Sequence, residues 1–458
     1  MTILLKEKIP FFTLAILAYL LPFSTRIIWE QYAIVGTAVE NDFTRVFIFG
    51  IDLIVLLSVA IFSATQPTEK VPGTFSLGYM TPSPTRSIVF LGLFILWVVA
   101  SAVTADIQTW LAYAFIVRII LAALLFTQLL RFPAGATFSL AGIGFILGGV
   151  VQSFLGVTQF LLRKSIGLGF LGESPLIVGQ PNVATFSAFG EKFLRAYGTL
   201  PHPNILAFFL TIAVLTSFCF FLIFEKKKTK ILTLLATIIN SVGLILTFSR
   251  IFIVLAAFGF VCLYLIKRPA ASRLKKIIRW STGTAMILVV LAAITTLRPI
   301  DADQSLSLRA IYESVGASQT QERPISGVGP GQSVMLGNQY LQNVLNEQNM
   351  EYQTYMHQPV HNTYLLIIAE TGWIGLLFFL MFIILVTDDV LKILRKNREV
   401  YKNTFFVFAA IAVTVTLIGM LVEHLFITNP NSLYLIFILF ALLLRSKTDL
   451  FVKLPDHG

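Results

Sequence analysis

The sequence predicts an all-α, polytopic membrane protein with about twelve transmembrane helices. Of its 458 residues, 56% are hydrophobic and only 12% are charged, and the mean hydropathy is +0.83. The apolar residues form runs long enough, at about 18 residues or more, to cross the roughly 30 Å hydrocarbon core as helices. Lys and Arg are concentrated in every second connection between these runs. Together these features exclude an ordinary soluble globular protein.

The predicted helices share an almost unbroken apolar composition. They lie near 10–24, 46–63, 87–104, 108–130, 136–162, 201–224, 231–247, 250–267, 281–298, 362–387, 403–424 and 430–446. No small-residue cleavage site follows the first run, so we expect it to be the first membrane helix rather than a cleavable signal. No shift in composition divides the chain, and residues 1–458 are predicted to form one integral membrane domain.

The distribution of positive charge predicts the orientation in the membrane. With a cytoplasmic N-terminus, the inside segments hold 23 of the 34 Lys and Arg residues. The positive-inside rule therefore places both termini in the cytoplasm. The basic clusters, including those at 225–230 and 267–279, are interpreted as topology signals and contacts to anionic lipid head groups, not as a nucleic-acid site.

Two extracytoplasmic segments are long on this topology. Residues 163–200 are rich in Gly, Pro and Ser, which favours an irregular or re-entrant segment over a helix. Residues 299–361 contain two amphipathic patterns that predict helices, "SLSLRAIYESVG" and "YLQNVLNEQNM", separated by the turn-rich "RPISGVGPGQS". Connections this long are usually functional, so we expect chemistry at the outer face.

Arginines near this face are candidates for binding an anion. Arg250 lies between two apolar runs in "LTFSRIFIVLAAF", where it is either a snorkelling structural residue or a ligand for phosphate or carboxylate. Arg309 belongs to the first helix of the long loop, and by itself could equally be a solvated surface residue. Arg118 lies in the middle of a membrane run, so it is a candidate for function or for pairing helices.

Histidines mark the beginning of two membrane helices. His361 and Asn362 stand where the long loop meets the run at 362–387, and His202 follows Arg195 in "LRAYGTLPHPNILAFF". Taken alone, His361 could be only an interface residue. His357 is four residues before His361, but Pro359 between them disrupts a shared helical face. The aspartates of "IDAD" at 301–303 have no acidic cluster beside them. No metal site and no cofactor are predicted.

Four motifs in order give the chain a family resemblance. "RAYGTLPHPN", "TFSR", "RPISGVGPGQ" and "HNTYLLIIAETGWIG" resemble segments of the O-antigen ligase/O-antigen polymerase (Wzy-type) superfamily. The resemblance covers about residues 150–430. It implies a bacterial inner-membrane glycosyltransferase with a GT-C-type fold and a polyprenyl-pyrophosphate-linked glycan donor. The acceptor is a glycan, lipid or protein of unknown identity.

The resemblance also implies roles for particular residues. His361 matches the family's essential histidine, which is proposed to activate the acceptor hydroxyl. Arg250 and Arg309 match arginines thought to engage the donor pyrophosphate, and Arg195 and His202 match a frequent motif. The late "EHLF", 423–426, resembles a "DHYF"-like family passage but has Glu423 in place of Asp. It is given no catalytic role for that reason.

Two alternatives to a ligase remain open at this point. A polymerase would use the lipid-linked glycan itself as acceptor, and the motifs do not separate the two activities. A transporter or flippase would also have about twelve helices. However, the two halves of the sequence show no repeat of the kind many transporters have, and a transporter would leave the outer set of His and Arg unexplained.

Overall fold

The computed structural model is mostly helical. It describes residues 2–65, 85–107, 109–132, 134–180, 183–188, 191–267, 281, 283, 292, 304–396, 400 and 403–445. Within these residues seven helices are long and apolar enough to cross a membrane, and four shorter apolar helices accompany them. The prediction of a polytopic membrane protein is therefore confirmed.

The helix bounds follow the predicted apolar runs closely. The helices are α1 Thr2–Leu20, α2 Gly50–Ala64, α3 Thr85–Thr104, α4 Trp110–Leu129, α5 Ala134–Leu162, α6 Pro203–Ile223, α7 Lys227–Leu246, α8 Arg250–Lys267, α9 Gln304–Glu322, α10 Asn338–Glu347, α11 Thr363–Lys396, α12 Thr404–Gly419, α13 Leu425–Thr428 and α14 Pro430–Arg445. The predicted run at 281–298, apart from residues 281, 283 and 292, and the "IDAD" aspartates lie outside the described residues. A total of twelve transmembrane helices therefore stays a prediction, as do the GT-C-type fold and the single domain.

Two short antiparallel hairpins were not predicted. β1 (Arg26–Gln31) pairs with β2 (Arg45–Phe49), and β3 (Thr185–Ala188) pairs with β4 (Glu191–Leu194). Each hairpin lies in a connection between apolar helices. The fold is thus mainly α-helical with two small sheets, rather than all-α.

The long connections meet at one end of the helices, which we call the loop face. Asn41, after β1, donates to the carbonyl of His357 at 2.8 Å, and Phe43 packs edge to face with His424. Gly172 contacts the backbone of Ser24 so closely that a Cβ there would lie 2.3 Å from its carbonyl carbon. The loop face therefore contains the hairpins, α9, α10 and the segments 357–362 and 420–429.

Helix α6, like α14, lies in the interior of the bundle. In its most apolar stretch, 89% of the residues are buried within the protein, whereas the corresponding share is 33% in both α3 and α7. The peripheral helices instead expose apolar side chains such as Leu96 and Leu377. This arrangement is expected when the surrounding solvent is lipid, because apolar side chains lose nothing by facing it.

Glutamine side chains hold the non-helical segment that leads into α6. Gln152 donates to the carbonyl of Pro22 and accepts from the backbone N–H of Thr199, at 2.7 and 2.9 Å. Gln159 accepts from the N–H of Gly198 at 2.7 Å and donates to its carbonyl at 2.7 Å. These bonds satisfy buried backbone groups that no helix pairs, so the residues before α6 have a fixed position.

The two helices predicted in the long loop are present as α9 and α10. They pack on each other through a small apolar cluster that includes Ile311, Tyr312, Leu341 and Leu345. Helix α9 also packs along the first half of α11, where Gly316 faces Val360 and Leu365. The long loop is therefore a folded layer on the loop face.

Arg118 pairs α4 with α2. Its Nε lies 3.2 Å from Oδ2 of Asp52, and its Nη2 donates to the carbonyl of Phe47 at 2.5 Å. Tyr434 of α14 donates to the other oxygen of Asp52 at 2.8 Å. The side chains of Arg118 and Asp52 are only 18% and 16% exposed, so this ion pair joins three helices.

We expect Arg118→Met to destabilise the protein, because removing one partner of a buried pair costs on the order of 3–5 kcal/mol. The melting temperature in detergent should fall. The double variant Arg118→Met/Asp52→Leu should recover most of the loss, since it leaves no buried unpaired charge. Lys392→Met, which breaks an exposed pair with Asp388, is the control and should change the melting temperature little. An unchanged melting temperature in Arg118→Met would contradict the pairing role.

Candidate active site

A buried carboxylate, Glu423, joins three elements at the loop face. It accepts from Nδ2 of Asn204 at 2.6 Å and from Nη2 of Arg309 at 2.8 Å. Its backbone carbonyl accepts from the hydroxyl of Thr363 at 2.6 Å. The residue is 2% exposed. Glu423 therefore ties the start of α6 and the start of α11 to the helix that carries Arg309.

The Glu423 carboxylate orients Arg309, whose guanidinium has further N–H groups that can donate to a ligand. Its Nη1 donates to the carbonyl of Val422 at 3.2 Å, beside the bond from Nη2 to Glu423. The side chain is 28% exposed. A guanidinium has five N–H donors, so those outside these two bonds are available to an oxyanion.

Arg195 extends the network toward α8. Its Nη2 donates to Oδ1 of Asn204 at 2.7 Å, and its Nε donates to the carbonyl of Thr247 at 2.6 Å. The residue is 4% exposed, so its charge is held inside the protein. Arg195 connects the start of α6 to the turn that precedes Arg250.

Arg250 is the first residue of α8 and is half-buried. The turn between α7 and α8 has only three residues, and its middle residue, Phe248, has a φ of 48°. The predicted absence of a real loop before Arg250 is confirmed. This turn places Arg250 three residues after Thr247, the carbonyl partner of Arg195, at the same end of the bundle.

His361 lies between two aromatic rings. Its imidazole stacks on Tyr312, with ring centroids 5.4 Å apart, and meets His424 edge to face at 4.8 Å. Its Nδ1 lies 3.1 Å from the carbonyl of Pro359. Because a carbonyl can only accept, Nδ1 carries the proton, and Nε2 keeps its lone pair.

Burial keeps His361 neutral. Desolvation lowers the pKa of His361 below 6.5; the charge of Glu423 opposes that effect, and Arg309 adds to it. Near neutral pH the ring is therefore uncharged with a free lone pair on Nε2. This is the form that a general base requires.

Two further histidines surround the same space. The pKa of His424 is well below 6.5 because the ring is buried, and the neighbouring His361, His202 and Arg309 lower it further. His202 caps α6, since its Nδ1 accepts from the N–H of Asn204 at 3.1 Å. In its neutral form His202 therefore carries a proton on Nε2 and is a donor.

The beginnings of two long helices add positive potential here. Asn362 caps α11 by accepting from the N–H groups of Tyr364 and Leu365, at 3.0 and 3.1 Å. With His202 capping α6, two helix N-termini flank Glu423. The N-terminal end of a helix favours negative charge, so this region suits an anion as well as a base.

The structure does not bring His357 to the same centre. Its Nε2 lies 2.9 Å from the hydroxyl of Tyr352, and burial lowers its pKa. Among the residues that the structure describes, no group of three or more His, Cys, Asp or Glu is placed to hold a metal ion. The prediction that the reaction needs no metal is not tested by this.

The predicted site residues thus fall into two places. Contacts centred on Glu423 connect Arg195, His202, Arg309 and His361 directly or through one neighbour. Asn362 precedes Thr363, whose hydroxyl bonds to the carbonyl of Glu423, and Arg250 begins the adjacent helix. Arg118 belongs instead to the contact between α2, α4 and α14. Sequence reasoning missed the roles of Glu423 and His424, although "EHLF" was the signal that contained both.

The middle of the chain matches a known family. Residues 235–380 match the family model described as O-antigen ligase. This segment belongs to the O-antigen ligase family. The resemblance predicted from the sequence is therefore confirmed over this range, which includes Arg250, Arg309 and His361. Arg195, His202 and Glu423 lie outside the matched range. No curated protein matches the chain.

The match over residues 235–380 indicates an enzyme of glycosyltransferase type, and the matched family implies a lipid-linked glycan as substrate. The apolar helices agree with a membrane-embedded substrate. The transporter alternative is thereby set aside.

Glu423→Gln is expected to reduce glycan transfer about 10- to 100-fold, because a hydrogen bond to a charged group contributes about 1.5–3 kcal/mol. Arg309 would lose its charged partner while Asn204 keeps an acceptor. The variant should also lower the pKa of His361, since the carboxylate charge raises it. The acid limb of the rate–pH profile should then move to lower pH.

Glu423→Asp, which keeps the negative charge, is the matched control. It should leave the position of the acid limb close to that of the wild type. An unchanged rate and an unchanged limb in Glu423→Gln would show that the carboxylate does not act on Arg309 and His361.

Proposed function

We propose that this O-antigen ligase-family protein moves a glycan from a polyprenyl-pyrophosphate carrier to an acceptor hydroxyl, with His361 as general base and without a metal ion. The observation that carries the proposal is the orientation of His361. Its Nδ1–H is fixed by the carbonyl of Pro359, which leaves Nε2 as proton acceptor beside Arg309, an anion-binding side chain.

The chemistry is a single displacement at the anomeric carbon. The acceptor oxygen forms a bond to C1 of the sugar as its proton passes to Nε2 of His361. The bond from C1 to the pyrophosphate oxygen breaks, and the electron pair stays on the pyrophosphate. One displacement of this kind inverts the configuration at C1. General-base assistance typically accelerates such a step by about 10²–10⁴-fold.

Arg309 and Arg250 are proposed to stabilise the leaving pyrophosphate. Negative charge develops on the leaving group as the bond to C1 breaks, and preorganised cations are most effective where charge develops. Glu423 holds Arg309 in place before substrate arrives. The capped N-termini of α6 and α11 add to the positive potential. The arginines would supply the charge stabilisation that other transferases take from a divalent cation.

The reaction is proposed to take place at the extracytoplasmic face of a bacterial inner membrane. The excess of Lys and Arg in alternate connections supports cytoplasmic termini, which puts the loop face outside. A lipid-linked donor is already activated by its pyrophosphate. The site therefore needs no cytoplasmic nucleotide.

A ligase is the leading assignment, and a polymerase is the alternative. The description of the matched family favours a ligase, which transfers the finished glycan to a different acceptor molecule. A polymerase would instead extend the glycan on its carrier. The chemistry at His361 would be the same, so the products distinguish the two.

The decisive variant is His361→Ala, assayed in membranes with a pyrophosphate-linked oligosaccharide donor. We expect the transfer rate to fall by about 10²–10⁴-fold because the general base is lost. His357→Ala is the matched control and should retain most of the activity, since His357 bonds to Tyr352 instead. Protein levels are compared by immunoblot, and a chelator should leave the wild-type rate unchanged.

A single glycan transferred to a separate acceptor would identify a ligase. A series of glycans of increasing length on the lipid carrier would identify a polymerase. Equal transfer by His361→Ala and wild type, at equal protein level, would eliminate the general-base role.

The rate–pH profile gives a second test of the base. Only neutral His361 accepts a proton, and its pKa lies below 6.5. The midpoint of the acid limb should therefore lie below pH 6.5, where the ring becomes protonated. A measured acid limb above pH 6.5 would mean that another group acts as the base.

A further inference from the structure

We propose that Glu370 and Gly372 are positioning residues that set the geometry between Arg309 and His361. They do so by fixing the residues that follow α9 into a break in α11. The residues concerned, 324–333, are called the insertion loop. This inference rests on the proposed function, because it gives these residues a purpose in that same site.

Helix α11 is broken at Gly372. Its backbone there has φ 70° and ψ −178°, which is not helical. A Cβ at this position would lie 1.9 Å from the carbonyl oxygen of Ile325. Only glycine allows both the backbone conformation and the approach of the insertion loop.

The insertion loop replaces the helical hydrogen bond that the break removes. In an unbroken helix the N–H of Trp373 would donate to the carbonyl of Ala369. Here Trp373 donates to the carbonyl of Pro324 at 2.8 Å, and Ala369 accepts from the N–H of Val328 at 2.9 Å. The insertion loop thus bridges the two halves of α11 through backbone hydrogen bonds.

The side chain of Glu370 accepts hydrogen bonds from the C-terminal part of the insertion loop. Its Oε2 accepts from the N–H of Gly331 at 2.9 Å, and its Oε1 lies 3.4 Å from the N–H of Ser333. Its backbone carbonyl accepts from the N–H of Gly329 at 3.0 Å. Glu370 is 6% exposed. The proposed displacement at C1 makes no use of this buried carboxylate.

Helix α3 also binds the insertion loop and the break in α11. The hydroxyl of Ser101 lies 2.6 Å from the carbonyl of Ser326 and 3.1 Å from that of Glu370. The indole N–H of Trp97 donates to the carbonyl of Thr371 at 2.7 Å. The insertion loop is therefore held between two membrane helices.

The insertion loop connects the two helices beside the candidate active site, α9 and α11. Arg309 is on α9, which ends at Glu322 and continues directly into the insertion loop. His361 lies just before α11, the helix that the loop enters. Between these ends, Gly316 of α9 faces Val360. Fixing the loop at Glu370 therefore fixes where α9 runs relative to His361.

The test is steady-state glycan transfer by Glu370→Gln and Ser101→Ala. A glutamine at 370 would direct an amide N–H₂ at one of two backbone N–H groups, loosening the loop. We expect kcat to fall about tenfold in Glu370→Gln and about two- to fivefold in Ser101→Ala. The donor KM should stay within about twofold of the wild type. The midpoint of the acid limb should stay below pH 6.5, because His361 remains the base in both variants.

Two matched controls address general effects of substitution. Glu347→Gln removes an exposed carboxylate from α10. Ser58→Ala removes a buried hydroxyl that bonds to its own helix through the carbonyl of Ile54. Both should keep the wild-type kcat.

In Glu370→Gln, a disulfide between α9 and residue 360 can restore the fixed position of α9 relative to His361. An ideal Cβ on Gly316 would lie 3.6 Å from the Cβ of Val360, within the roughly 3.5–4.5 Å of disulfides. Adding Gly316→Cys and Val360→Cys to Glu370→Gln should restore kcat at least fivefold on oxidation, and the gain should disappear on reduction. A purely structural role would change protein level or melting temperature, not this oxidation-dependent rate.

The outcomes separate the two proposals. If the wild type transfers glycan and both variants match its kcat, the positioning role is refuted. The role is also refuted if Glu370→Gln fails to accumulate while Ser101→Ala has normal kcat. If the wild type shows no transfer and its His361→Ala variant no difference, it is the proposed function that fails.

Discussion

A carboxylate buried between an amide and a guanidinium is the constraint on which the loop face depends. Glu423 is 2% exposed, and the charge of Arg309, at 2.8 Å, offsets its own. A buried ion without its partner is strongly unfavourable. The start of α6, the start of α11 and helix α9 must therefore keep the relative positions that satisfy it. The same requirement brings His361 beside Arg309.

The membrane helices could be predicted from the sequence because the bilayer imposes a simple rule. A crossing segment must be apolar over about 20 residues and must satisfy its own backbone hydrogen bonds. Runs such as 203–223 and 227–246 meet that rule without reference to any other part of the chain. His361, Arg309 and Arg250 could be proposed because they interrupt or border such runs, and because the family motifs contain them.

Other parts could not be predicted because their signal is not local. Glu423 meets Asn204 across 219 positions and Arg309 across 114. Nothing in "EHLF" indicates those partners, and the similar family passage has Asp in place of Glu423. The hairpins have strands of four to six residues, too short to give a clear alternation beside long apolar runs. The break at Gly372 lies inside an apolar run, where a glycine reads as an ordinary helix residue.

The three-residue turn before α8 has a consequence for how the chain tolerates change in length. Each residue added to a helix rotates the remainder of that helix by about 100°. Phe248 already adopts a left-handed conformation to close this turn and stacks on Phe186 with ring centroids 3.8 Å apart. One inserted residue would change the position of Arg250 relative to Thr247, whose carbonyl Arg195 binds, and would pull the Phe248 ring from its neighbour. Length variation among relatives of this chain should therefore accumulate elsewhere, and this turn should keep its length even where its residues differ.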